Sequence, residues 1–185
     1  MLHPWETLSS RIIHQDRWIH LRADSCRRHD GLVIEPFYVL EMSDFVHVLP
    51  VLEDGRLLLV RQWRHGGNTF SLELPGGMLD AGETPEQGAR RELLEECGAE
   101  GSDWSLVHRF FPNPARQNNL FHAFLARGVR RISDQQLDGN EEIEIHAHTV
   151  AEVDAAIASG EFNQGNHIAA YLLARPQLVG ETAKG

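Results

Sequence analysis

The chain has 185 residues, 42% hydrophobic and 24% charged, which suits one domain with a sizeable core and a short extra arm. Its formal net charge of −10 argues against broad, unspecific binding to nucleic acid or an anionic membrane, though not against a local basic pocket for a phosphorylated small molecule. Cys26 and Cys97 stand in no CxxC or zinc spacing, the opening MLHPWETLSS has no basic-then-apolar leader, and no run approaches the ~18 apolar residues of a membrane span. Reduced thiols, a cytoplasmic setting and no membrane partner are therefore expected. The eleven histidines form no HExxH or similar pair and read as surface or strand residues.

Residues 11 to 41 read as an extended hairpin arm. Trp18-Ile19-His20-Leu21-Arg22 alternates, as does Leu32-Val33-Ile34 with Phe37-Tyr38-Val39-Leu40 beyond Pro36, and Asp30-Gly31 between them is a strong turn signal. A hairpin alone is marginal in water, so this arm must cover its own domain or cross to a second subunit. Phe45 to Leu52 is an apolar strand, Glu53-Asp54-Gly55-Arg56 a second turn, and Leu57 to Val60 a buried strand running into Arg61-Gln62-Trp63-Arg64. His65 to Asn68 is loop, and Ser71-Leu72-Glu73-Leu74 leads through Pro75-Gly76-Gly77 into a helix. Beyond it, Trp104 to Phe111 and Leu120 to Ala126 read as strands around a polar loop at 112–119. Residues 130 to 140 are irregular, and Glu141 to Ile145 alternates as a strand. A helix over Val150 to Ser159 ends at Gly160, a last one from His167 stops before Pro176, and the tail from Gln177 frays. Mixed strands with one acidic helix and two C-terminal helices predict an α/β or α+β sandwich.

The stretch Gly77 to Ala99, GMLDAGETPEQGARRELLEECGA, carries the chemistry. Thr84 is an N-cap, Pro85 stands at the first helical position, Gln87 completes a capping box, and Gly98 ends the helix. Glu92, Glu95 and Glu96 then share one helical face, where like charges oppose the helix by a few tenths of a kcal/mol per pair, roughly. Such a face invites a divalent cation, and all-oxygen ligands favour Mg²⁺ or Mn²⁺ over zinc.

Gly77, Glu83 and the run Arg91-Glu92-Leu93-Leu94-Glu95-Glu96-Cys97-Gly98-Ala99 resemble the Nudix box position by position, with Ala99 standing where Ile, Leu or Val is more usual. The resemblance implies a mixed sheet held between helices over residues 45–176, with 1–44 as a strand-rich arm that exchanges between two subunits of a homodimer. It also implies hydrolysis of a diphosphate joined to another moiety. Glu92 and Glu96 are the first-choice metal ligands, with the Gly76 carbonyl completing the shell and Glu95 beside them as ligand or base. Arg91 and Glu83 match positions that hold loop and helix together. Asn140-Glu141-Glu142-Ile143 resembles the end of an acidic loop in the ADP-ribose pyrophosphatase branch, which marks Glu141 as ligand or general base. Gly139 stands where some members of that branch have an acidic residue.

The branch also suggests contacts to substrate. Gln62-Trp63-Arg64 resembles a strand end whose Arg meets a phosphate, a role that suits a bidentate guanidinium. Pro114 falls at a marker position some fifteen residues past the box, whereas Arg116-Gln117-Asn118-Asn119 departs from the usual Gly-rich, Glu-ended loop, so the sugar or base recognised by Arg116 can differ. Trp18, Phe37 and Tyr38 suit stacking on a base or packing in a core or interface. The expected substrate is ADP-ribose or a related nucleoside diphosphate sugar. The alternatives are a nucleoside triphosphate, as in the MutT branch, and a sensing module that binds without cleaving.

Overall fold

A computed structural model describes residues 1–180. The chain divides into two compact units, Met1–Ser43 with Phe111–Leu120, and Asp44–Phe110 with the chain from Phe121 onward.

The first unit is a three-stranded antiparallel sheet of β1 (Glu6–Gln15), β2 (His20–Arg27) and β3 (Val33–Glu41), in that order. The β2–β3 hairpin turns at Asp30-Gly31, where Gly31 takes φ +86° and donates its N–H to the Arg28 carbonyl at 3.0 Å. The expected two-stranded arm gains a third strand in β1. All ten of its residues are exposed, so no apolar alternation marks it, and main-chain pairing such as Thr7 with Cys26 and Ile12 with Arg22 holds it. The polar loop at 112–119 docks on the end of β3, with Leu40 N–H donating to the Arg116 carbonyl at 2.8 Å and Asn119 Nδ2 to the Ser43 carbonyl at 3.1 Å.

The second unit contains β4 (Phe45–Leu52), β5 (Leu57–Arg64), a 3₁₀ turn at His65–Gly67, β6 (Thr69–Glu73), β7 (Gly76–Met78) and α1 (Pro85–Cys97). There follow β8 (Ala99–Glu100), β9 (Asp103–Phe110), β10 (Phe121–Arg131), β11 (Ile143–His148), α2 (Val150–Ser159) and α3 (Gly165–Val179). Its mixed sheet runs β11-β5-β4-β10-β8, with β6 on β5, β7 on β4, β9 on β10, and β4 parallel to β10. Alternation divides each central strand between two cores. Val46, Val48, Leu58, Val60, Phe124 and Ala126 meet Ala89, Leu93 and Cys97 of α1. Leu49, Leu57, Leu59, Phe121, Ala123 and Leu125 meet Val153 and Ala156 of α2 and Ala170, Tyr171 and Ala174 of α3. The sheet is thus held between helices, as the sequence predicts.

β10 runs on to Arg131, past the expected end at Ala126, because Arg130 and Arg131 pair with β8, and β11 and α3 also differ from expectation. β11 starts at Ile143, two residues late, because Glu141 N–H turns back onto the Asp138 carbonyl at 2.9 Å and leaves Glu141 and Glu142 on the preceding loop. α3 continues through Pro176 to Val179, because Leu178 is buried in the core beyond the proline and anchors that last turn. Residues 177–179 are accordingly helical, and the remainder of the expected frayed tail, 181–185, lies outside the described residues. Among the described residues no helix is long and apolar enough to cross a membrane.

Candidate active site

The acidic face is set by the ends of α1. Thr84 Oγ1 accepts the Gln87 N–H at 3.3 Å while Gln87 Oε1 accepts the Thr84 N–H at 2.9 Å, and Pro85 occupies the first turn. At the other end Gly98 adopts φ +60° and donates to the Leu94 carbonyl at 2.8 Å, closing the helix. Leu93 and Cys97 anchor the inner side of α1 in the core. The carboxylates between them therefore fall at the margin of the packed face, and Glu92 and Glu96 are buried whereas Glu95 is 40% exposed at its side chain.

Each buried carboxylate has one specific companion. Glu96 accepts the Gly76 N–H at 2.7 Å, and Glu92 accepts Arg91 Nη1 at 2.8 Å and lies against Gly77, where a Cβ would come within 2.6 Å of its Oε1. Burial pushes Glu96 up to about 8, with the charges of Glu92 and Glu141 adding to the rise and the Gly76 N–H opposing it. Burial likewise pushes Glu92 up to about 7, with Arg91 opposing and Glu95 and Glu141 reinforcing. Glu141, exposed on its loop, takes the Asp138 N–H at 3.0 Å, and its charge reaches Glu92, Glu96 and Arg64. Gly76, Glu92, Glu95 and Glu96 are thus linked at one corner by hydrogen bonds, directly or through Arg91, whereas Glu141 acts on that corner through its charge.

Arg91 knits this corner together. Its Nε and Nη2 grip the two oxygens of Glu83 at 2.9 and 3.0 Å, Nη2 also reaches the Met78 carbonyl at 3.1 Å, and Nη1 lies between Glu92 and Glu95 at 2.8 and 2.9 Å. The Arg91 hydrogen bond holds Glu83 below the usual carboxylate range. Loop and helix are fastened together by this pair, as its place in the box implies. Among the described residues no three acidic, histidine or cysteine side chains close around one point, and Arg91 and the Gly76 N–H engage Glu92, Glu95 and Glu96. The donor set itself is all oxygen, with two carboxylates held where water cannot solvate their charge. It suits a hard divalent cation.

Arg64, the guanidinium expected to meet a phosphate, is also engaged within the protein. Its Nε and Nη2 make a bidentate pair with fully buried Glu73 at 2.8 and 2.6 Å, leaving the Nη1 end as the one directed elsewhere. The other three expected contacts belong to the N-terminal unit. Trp18 is exposed between β1 and β2 with the Arg17 guanidinium 4.1 Å from its ring centroid, and Pro114 and Arg116 are exposed on the loop at 112–119.

Several residues of this region escaped sequence reasoning. Glu73 stands alone between Leu72 and Leu74, and an isolated charge in an apolar strand is the signal that announces a buried pair. His47 and His167 are also fully interior, with ring centroids 4.3 Å apart, and His47 stacks on Phe121 at 4.6 Å. The apolar setting FVHVLP was the available hint for His47.

Residues 44–171 match the NUDIX domain, and residues 5–40 match the nucleoside diphosphate sugar hydrolase N-terminal domain. An ADP-ribose pyrophosphatase of Mycobacterium tuberculosis is 29% identical over 180 residues, 96% of this chain and 86% of that protein. One from Bacillus subtilis is 31% identical over 117 residues, 63% of each chain. Among solved structures, a crystal structure of an ADP compounds hydrolase superposes with a TM-score of 0.87 at 20% identity, over 98% of this chain and 97% of that one. The domain match spans well over half the length, and the charged helix it contains is the one built above; the chain belongs to the Nudix family of hydrolases.

Proposed function

We propose that this protein hydrolyses the pyrophosphate bond of ADP-ribose or a related nucleoside diphosphate sugar in the presence of Mg²⁺, with Mn²⁺ as a substitute, releasing a nucleoside monophosphate and a sugar phosphate. The observation that carries the reading is the pair of buried carboxylates, Glu92 and Glu96, in the last two turns of α1, facing Gly76 and Gly77. Glu92, Glu96, Glu141 and the Gly76 carbonyl would hold the cation. Bound there, it would neutralise the phosphate oxygens whose charge otherwise repels a nucleophile. Glu95 and Glu141, both open to solvent, are the groups able to take a proton from water, with Glu96 placed to assist. Arg64 offers its Nη1 end to a phosphate oxygen, while Trp18 carries an exposed ring suited to a base and Arg116, beyond Pro114, an exposed guanidinium suited to an anion. The match at residues 5–40 and the names borne by the relatives support the sugar-linked substrate over a triphosphate.

Two further points belong to the same reading. Exposed apolar side chains on the N-terminal sheet, including Leu8, Ile12, Ile13 and Val33, favour a homodimer, and buried Cys26 and Cys97 favour a cytoplasmic enzyme with reduced thiols. The test is incubation with a panel of nucleotide sugars and nucleoside triphosphates plus Mg²⁺, with the products separated. Nucleoside monophosphate and sugar phosphate are expected. Turnover of no sugar-linked member would refute the reading, and release of pyrophosphate from a triphosphate would replace it with the MutT-type alternative.

A further inference from the structure

The segment joining β6 to β7 is held from both faces of the sheet. Pro75 has no N–H, so between Glu73 and Gly77 the main-chain donors are those of Leu74 and Gly76 alone. Gly76 gives its N–H to Glu96 of α1 at 2.7 Å. Leu74 gives its N–H to Nδ1 of His167 on α3 at 3.1 Å, and both residues are 1% exposed. The Pro75 carbonyl in turn accepts the Val48 N–H at 2.9 Å. An imidazole that accepts at Nδ1 is neutral and carries its proton on Nε2. Its plane is fixed by neighbouring rings, with His47 at 4.3 Å and Phe121 at 5.8 Å between centroids. Removing the acceptor would leave a buried N–H without a partner two residues before the peptide that meets Glu96.

We propose that His167 is a positioning residue for the hydrolysis, its Nδ1 lone pair fixing the Leu74 peptide from the α3 side so that Gly76 meets Glu96 in one register. This rests on the hydrolase reading above, and it adds α3, a helix that carries no box residue, to the parts that shape the acidic corner. The effect passes from the His167 ring through the main chain of Leu74, Pro75 and Gly76 to the Glu96 carboxylate. A misplacement of such a support by a fraction of an ångström to one ångström is worth up to about a hundredfold in rate.

The test compares His167→Leu, which lacks an acceptor, with His167→Asn, whose Oδ1 can stand where Nδ1 does. For His167→Leu, kcat is expected to fall about tenfold or more and the Mg²⁺ concentration for half-maximal rate to rise, with KM for the nucleotide sugar little changed. His167→Asn is expected to recover both quantities to near wild type. A folded His167→Leu with wild-type kcat and Mg²⁺ dependence overturns the proposal, and so does His167→Asn when it is as impaired as His167→Leu. Nitrogen NMR of the wild-type protein provides a readout independent of folding of the variants and of turnover. His167 protonated on Nε2, with a slowly exchanging Leu74 amide, is expected; a proton on Nδ1 overturns the proposal. If the wild type turns over nothing in the panel, the hydrolase reading fails while the NMR result still decides whether His167 holds Leu74.

Discussion

Glu96 accepts the Gly76 N–H at 2.7 Å across a sequence separation of 20, tying the last turn of α1 to the loop that enters the box. Among the described residues that bond is the main-chain compensation for a nearly buried carboxylate, and it does not offset the burial that pushes Glu96 up to about 8. The corner is therefore built for charge that the folded chain alone does not neutralise.

Replacing Glu96 by Gln should trade activity for stability. A carboxyl whose folded value lies above its unfolded one, 4.5, loses stability as pH rises from that value through about 8. Gln does not titrate, so in chelator at about pH 9 Glu96→Gln should unfold at a higher denaturant concentration than wild type, with the gap closing toward about pH 4. Hydrolysis should fall by orders of magnitude. Denaturant titrations at the two pH values check this, and equal midpoints at the higher one would mean that burial of Glu96 is not costly.

The two adjacent glycines should respond in opposite ways to Ala. Gly76 has φ +146°, and a Cβ there would lie 2.1 Å from the Val46 carbonyl oxygen and 2.7 Å from His47 Cα, both main-chain atoms of β4. Gly76→Ala should cost about 3 kcal/mol or more, near the upper end for single substitutions. At Gly77 the clash is with Glu92 Oε1 at 2.6 Å, the far end of a side chain that can swing away. Gly77→Ala should fold but need more Mg²⁺ for the same rate. Melting curves paired with Mg²⁺ titrations separate the two outcomes, and a Gly77→Ala enzyme with unchanged Mg²⁺ dependence would detach Glu92 from the metal.

What the sequence revealed follows from how local each signal is. α1 was legible to the residue because its caps, Thr84, Gln87 and Gly98, lie within the helix they define. β4, β5 and the first half of β10 were legible because strands buried on both faces read as unbroken apolar runs, whereas the partly exposed end of β10, to Arg131, was not. β1 was hidden, since an exposed strand held by main-chain pairing has no pattern to display. The Arg64–Glu73 pair and the His167–Leu74 bond were hidden for another reason. Each is a partnership decided by the fold, the second across a separation of 93, and single residues do not name their partners.

Arg64 illustrates the consequence for mutagenesis. Glu73 is 0% exposed, and the guanidinium is its bidentate partner at 2.8 and 2.6 Å. Arg64→Ala strands that carboxylate, a change worth about 3–5 kcal/mol when one half of a buried pair is deleted. The double variant Arg64→Ala/Glu73→Leu, with no charge left to strand, should regain most of that loss. Urea unfolding of the single and double variants measures it. A single variant within about 1 kcal/mol of wild type would show the pair to be solvated rather than structural.

Burial, and then the Arg64 charge, lowers His167 to about 3, and burial followed by the His167 ring lowers His47 well below 6.5, against a raising contribution from Glu73. A histidine depressed in the folded chain leaves the unfolded chain to take the proton first. Stability is thus lost as pH falls below 6.5, by up to about 1.4 kcal/mol per pH unit for each such group. Glu92 and Glu96 act in the opposite sense over part of that range, because their raised values favour the folded chain as protons bind. The comparison must therefore be between wild type and His167→Asn, in which the carboxylate contribution cancels. Between about pH 7 and 5 the wild type should lose stability more steeply than the variant, by up to one proton's worth of slope. Parallel curves would mean that His167 takes up its proton in the folded chain over the same range as in the unfolded one, so that burial does not hold it neutral.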